Sequence, residues 1–124
     1  MKLLVDSDVL IEVSRGRDTA LVERWNELAE SDTVIVCSAV TVAELWHGAL
    51  PREQKLLNEL FDLLLCIPMD REIGRMAGDF LRQYRKSHHL ELGDAVIGAT
   101  AAVHKAVLWT RNRKHYPMKE IAFF

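Results

Sequence analysis

A dominant charge of either sign is missing from this chain. Its 124 residues carry 16 Lys and Arg against 18 Asp and Glu, a formal net charge of −2. No global basic field draws it to nucleic acid, so any such contact needs a local patch. Cysteine is scarce. Cys37 and Cys66 lie in the apolar runs Val-Ile-Val-Cys and Leu-Leu-Leu-Cys, with no Cys-x-x-Cys spacing and no neighbouring His. Neither a disulfide nor a zinc site is expected, and both residues read as buried free thiols in a reducing cytoplasm. No apolar stretch is long enough to span a bilayer, and no charged-then-apolar leader opens the chain. A cytoplasmic location without membrane association is therefore expected. Repeats, low-complexity tracts and linkers are absent too. The length suits one domain over residues 1–124, built on a single core.

What is present is an alternation of short apolar runs and amphipathic stretches. Leu3-Leu4-Val5 has the content of a strand buried on both faces and ends abruptly at Asp6. Ser7 or Asp8 is suited to cap a helix carrying Val9, Leu10 and Val13. Asp18 opens a second helix with Leu21, Val22, Trp25, Leu28 and Ala29 on one face. Val34 to Cys37 reads as a second strand, followed by a helix in which Thr41 and Glu44 have the spacing of a capping box. Beyond Gly48 and Pro51, a helix directs Leu56, Leu57, Leu60, Phe61 and Leu64 inward. Leu65 to Ile67 is a third strand. Asp70 caps a long helix with Ile73, Met76, Ala77, Phe80, Leu81 and Tyr84 on its apolar face and Arg71, Arg75, Arg82, Arg85 and Lys86 outside. Gly93-Asp94 opens a helix of small residues to Val103, suited to deep packing. Ala106 to Thr110 is a fourth strand, and Ile121 to Phe124 a short last one. Strands alternating with helices imply an α/β fold with a mainly parallel sheet of four to five strands, covered on both faces.

The carboxyl ends of such strands are where open α/β sheets place ligands. Asp6 follows the first strand, Glu44 lies in the helix after the second, and Asp94 stands at a helix entrance. The polar segment Thr110 to His115 emerges at the same edge. Crowded carboxylates repel, and a shared divalent cation relieves them; oxygen-only donors favour Mg²⁺ or Mn²⁺ over zinc. Each acid also has a plain structural explanation. Asp6 and Asp94 can be helix caps, Glu44 the partner of Thr41, and Asp8 a cap or a support for Asp6.

Four segments carry a family resemblance: Val-Asp-Ser-Asp-Val-Leu-Ile-Glu, Thr-Val-Ala-Glu-Leu-Trp-His-Gly, Gly-Asp-Ala-Val-Ile-Gly-Ala-Thr-Ala and Leu-Trp-Thr-Arg-Asn-Arg-Lys-His-Tyr. In this order, over essentially the whole chain, they resemble the signature blocks of PIN-domain proteins, and of the VapC toxins of toxin–antitoxin pairs in particular. The resemblance implies a single PIN domain folded as a three-layer α/β/α sandwich. It implies an endoribonuclease dependent on Mg²⁺ or Mn²⁺, cleaving RNA phosphodiesters by metal-activated water. Asp6 and Asp94 match the principal metal-binding acids, and Glu44 the third acid. The fourth acidic position departs from the pattern. Asn112 stands where many members carry Asp, and His115 where others have an acid, which leaves a second metal open. Asn112 can still ligate or orient water through its carbonyl oxygen and is kept as a catalytic candidate. Beside the site, Arg111, Arg113 and Lys114 are candidates for gripping RNA phosphates. The resemblance further implies a VapB-type antitoxin as inhibitor, a homodimer, and contact with operator DNA only through the antitoxin.

The Asp-x-Asp after the first strand also resembles haloacid-dehalogenase-type phosphatases, but the chain lacks their later Asp and has no room for a cap. A phosphoreceiver domain would need an acceptor Asp after an inner strand, and none is present. The alternative from another class is a non-catalytic PIN-like subunit that regulates transcription within an antitoxin complex on operator DNA.

Overall fold

The computed structural model describes residues 1–124 and builds one parallel sheet of five strands in the order β3-β2-β1-β4-β5. The first half of the chain lays down one side. Strand β1 (Lys2–Val5) leads into helices α1 (Ser7–Arg15) and α2 (Thr19–Ala29), then strand β2 (Val34–Ser38) into α3 (Ala39–Gly48). A 3-10 turn at Pro51–Glu53 precedes α4 (Gln54–Asp62) and the edge strand β3 (Leu65–Ile67). The long α5 (Arg71–His88) and α6 (Leu92–Val103) follow, then β4 (Val107–Trp109) and β5 (Ala122–Phe123) on the other side of β1.

Successive strand residues point to opposite faces, so each strand feeds two cores. Leu4, Val36, Ile67 and Leu108 join α5, α6 and the Tyr116–Ile121 segment on one face. Leu3, Val5, Ile35 and Cys37 join Val9, Leu10, Trp25, Leu45, Leu57 and Leu60 on the other. This is the expected three-layer arrangement. Helix α6 lies as deep as its small residues allow, with Ala95 through Ala101 all buried. Its closest approach is at Gly98, where a β-carbon would stand 2.4 Å from Met118 Cε and 3.0 Å from Ile121 Cδ1.

Several local expectations are revised. Helix α1 is capped by Asp6, whose Oδ1 accepts from Ser7 N at 2.7 Å; this bears out the capping explanation of that acid and sets aside Ser7 and Asp8 as caps. The chain turns from strand to helix there through Asp6 alone. Thr41 and Glu44 form no capping box. Helix α3 starts three residues earlier than that reading needs, with Ser38 as its cap, and Thr41 is buried inside the first turn. Asp94 does not cap α6 either; Glu91 holds that position and Asp94 sits within the first turn. Cys37 is buried but Cys66 is exposed, because β3 is an edge strand whose neighbour lies on one side only. Leu56 and Leu65 are likewise exposed. The basic face of α5 is solvated throughout.

Order reversal occurs at β1: β2 lies to one side, and the chain returns later to place β4 on the other. The crevice at the carboxyl ends of β1 and β4 is the topological switch point, where ligands bind in open parallel sheets. Asp6 N donates to Trp109 O at 3.0 Å, so β1 and β4 stay paired up to its rim.

Candidate active site

A cleft of about 470 Å³ opens at that switch point, lined by Asp6, Ser7, Asp8, Ile11, Glu44, His88, His89, Leu90, Glu91, Asp94, Asn112 and His115. The end of β1 supplies Asp6, α3 supplies Glu44, α6 supplies Asp94, and the turn after β4 supplies Asn112. The four sequence candidates of acidic or amide type therefore face one space. Of the basic candidates, none lines it. Arg113 donates to the Phe124 carbonyl at 2.9 Å and lies over the Phe123 ring. Arg111 turns toward Glu12 and Asp18, at 3.7 and 4.0 Å. Lys114 is exposed on the rim.

Each acid is held by a different device. Asp6, 8% exposed, accepts Ser7 N on Oδ1 and two hydroxyls on Oδ2, Thr110 at 2.9 Å and Tyr116 at 2.7 Å. Glu44 accepts the Ser7 hydroxyl on Oε1 at 2.8 Å. Its Oε2 passes 3.7 Å from where a β-carbon on Gly93 would stand, so the carboxylate lies beside the first turn of α6, where the helix dipole favours negative charge. Asp8 braces the turn after β4: its Oδ2 accepts Arg111 N at 3.0 Å and faces the Thr110 hydroxyl at 3.4 Å. Asp94 has only His115, with Nδ1 3.8 Å away.

The electrostatics follow from crowding. Burial raises the Asp94 carboxyl above its ordinary range, His115 opposes the shift, and Asp6, Glu44 and Glu91 add to it. Burial and the charge of Asp6 raise Asp8 in the same way. Burial drives the Tyr116 phenol far up, reinforced by Asp6, so it stays a protonated donor. Asp6 thus makes ionisation of both Asp8 and Asp94 more costly, and Glu44 adds to the cost at Asp94, in a partly enclosed space.

No three His, Cys, Asp or Glu side chains close into a ready-made metal cluster. The donor set still fits a hard divalent cation. All its charged members offer oxygen, Asp8 Oδ1 is buried without any partner, and the raised Asp94 carboxyl gains from a neighbouring cation. Sequence reading passed over Ser7, Thr110 and Tyr116 as individual supports. For Tyr116 a signal existed, since a tyrosine in a run destined for the core needs a partner for its hydroxyl. His89, on the cleft wall, has φ 52°, a left-handed conformation uncommon for His.

A family model described as PIN domain matches residues 3–123. The chain belongs to the PIN domain family. Among PIN relatives, Ribonuclease VapC10 of Mycobacterium tuberculosis is 40% identical over 95% of this chain and 88% of its own length. Ribonuclease VapC19 of the same organism is 32% identical over 93% of this chain and 92% of its own. In three dimensions, VapBC2 from Rickettsia felis, solved bound to a DNA fragment from its promoter, matches with a TM-score of 0.85. It covers 100% of this chain and 98% of that one at 18% identity, a likeness of fold alone. The PIN fold thus accounts for the sheet order and for a cleft at the end of β1.

Proposed function

We propose that this chain is an endoribonuclease toxin of the VapC type, dependent on Mg²⁺ or Mn²⁺ and restrained by a VapB-type antitoxin in the cytoplasm. The observation that carries the reading is the meeting of Asp6 from the end of β1, Glu44 from the middle of α3 and Asp94 from the first turn of α6 on one cleft lined mainly by polar residues. Similarity to two proteins named ribonucleases, each covering nearly the whole chain, supports it. The antitoxin is inferred from likeness to the VapC proteins and to the Rickettsia felis VapBC2 assembly.

In this reading Asp6 and Asp94 hold the cation and Glu44 contributes the third carboxylate. A bound divalent cation supplies Lewis acidity, lowering the pKa of water and offsetting charge on the phosphoryl group under attack. The chain's own groups do the rest. Ser7 aims Glu44, and the Tyr116 and Thr110 hydroxyls orient Asp6. Asn112, half-buried in the cleft wall, offers an amide to position water or phosphate. His115 beside Asp94 can carry a proton toward a leaving oxygen or partner the carboxylate when charged. Lys114, exposed at the rim, attracts RNA phosphates; Arg111 reaches them by giving up its long contacts to Glu12 and Asp18, and Arg113 also secures the chain end. A homodimer belongs to this reading, with operator DNA reached through the antitoxin.

The deciding experiment is RNA cleavage by the purified chain with Mn²⁺, Mg²⁺ or EDTA, beside Asp6→Asn and Asp94→Asn. Cleavage that needs the cation, yields 5′-phosphate ends and disappears in folded variants is expected. No cation-dependent cleavage of any cellular RNA overturns the reading in favour of a non-catalytic regulatory subunit.

A further inference from the structure

Tyr116 sits 3% exposed in the core between β1 and α6, its ring against α6 near Gly98. A phenylalanine fills that space equally well and asks for no partner. What the hydroxyl adds is a single directed contact, 2.7 Å to Asp6 Oδ2. Hydrogen bonds to a carboxylate are among the stronger ones.

The other donor to the same oxygen is divided. Thr110 Oγ1 has one proton and two carboxylates in reach, Asp6 Oδ2 at 2.9 Å and Asp8 Oδ2 at 3.4 Å. It also accepts Asn112 N at 3.1 Å, which fixes its place in the turn. Tyr116 has no competing acceptor, so it is the dedicated donor. Asp6 Oδ1 meanwhile receives only the Ser7 amide and keeps a lone pair free.

We propose that Tyr116 is a positioning residue: its hydroxyl holds Asp6 Oδ2 inward so that Oδ1 is the oxygen presented to a divalent cation. This rests on the cation-dependent reading above and adds a residue to it. Without the hydroxyl, Asp6 Oδ2 relies on a proton that Thr110 shares with Asp8, and the carboxylate is free to turn. Groups that orient metal ligands in this way typically change metal affinity ten- to a hundredfold, roughly, when removed.

The test is calorimetric titration of metal-free wild type, Tyr116→Phe and Met118→Leu with MnCl₂, with melting temperatures in EDTA and cleavage rate against Mn²⁺ concentration. Tyr116→Phe is expected to weaken Mn²⁺ binding roughly tenfold or more. Its cleavage curve should move to higher Mn²⁺ by a similar factor, with a cooperative melt in EDTA lowered only by the loss of one hydrogen bond to the carboxylate. Equal Mn²⁺ affinity in wild type and Tyr116→Phe overturns the proposal and leaves the proposed activity standing. Met118→Leu disturbs the same packing without touching a hydroxyl, so a matching loss there assigns the effect to packing and also overturns it. Wild type that binds no Mn²⁺ overturns the cation-dependent reading itself, and this proposal with it.

Discussion

Asp6 does two jobs with one carboxylate. It caps α1 through Ser7 N and faces the cleft while accepting two hydroxyls. Deleting it therefore removes a helix cap, worth about 1 kcal/mol, and leaves the buried Tyr116 hydroxyl unpaired, at about 1–3 kcal/mol. Asp6→Ala is expected to lose about 2–4 kcal/mol in urea unfolding, so Asn is the safer substitution for activity work. Asp94 makes no such contacts, and its behaviour is purely electrostatic. Its raised pKa means that the native state retains a proton which the unfolded chain releases. In metal-free buffer its contribution is therefore fully present below the ordinary value of 3.8 and is lost as pH rises through the folded pKa. Asp94→Asn in EDTA should melt above wild type near about pH 7, with the gap closing toward about pH 4. Mn²⁺ at about a hundredfold over its Kd should add about 2.7 kcal/mol to wild type and much less to Asp94→Asn. Scanning calorimetry reads both; a wild type that melts higher in EDTA near neutral pH contradicts the electrostatic account.

At the scale of elements, α3 and α6 bring their acids to the cleft by different means. Helix α3 is set by Ser38, the last residue of β2, whose hydroxyl accepts Val40 N at 3.2 Å. Ser38→Ala should cost about 1 kcal/mol and also lower activity, since Glu44 rides on that helix. Helix α6 is set by close approach. Gly98→Val would push methyl groups into Met118 and Ile121. Overpacking of this kind costs about 1–3 kcal/mol, and the shift passes to Tyr116. Chemical denaturation measures both, and an unchanged midpoint for Gly98→Val would mean that the C-terminal segment yields freely. The edge strand β3 behaves differently from the interior. Cys66 is exposed beside Cys37, whose thiol is pushed up to about 12 by burial, with Cys66 adding. Iodoacetamide should label Cys66 in the native protein and Cys37 only after unfolding, as mass spectrometry of the modified peptides will read. Native labelling of Cys37 would place β3 in exchange with an open state.

Over the whole molecule, the proposed function requires a net charge of −2 to coexist with a polyanionic substrate. Attraction then depends on the few cations at the rim, because the cleft itself is acidic. Arg111→Glu with Lys114→Glu should raise KM for RNA about tenfold or more while changing kcat little, and should flatten the salt dependence of binding. An unchanged KM would move the RNA path to the basic face of α5.

Much of this protein is set by its sequence alone. Runs such as Leu3-Leu4-Val5 and Val34 to Cys37, each followed by a helical period, determine an alternating parallel α/β chain. The small residues from Ala95 to Ala101 determine a buried α6. These signals act within a few residues, so propensity and periodicity suffice to read them. The segments around Asp6, Glu44 and Asp94 were legible too, as acids placed at strand ends and helix starts. Tertiary structure decided the rest. It chose Asp6 over Ser7 and Asp8, and Ser38 over Thr41, as the caps, because a cap depends on where the preceding strand ends. It exposed Cys66 by leaving β3 at the sheet edge. It turned Arg111 and Arg113 from the cleft toward acids and the chain end. It also joined Tyr116 to Asp6 across 110 positions of sequence. No local pattern encodes that pairing: it exists only once β1 and β4 lie side by side and α6 has closed over the segment that follows.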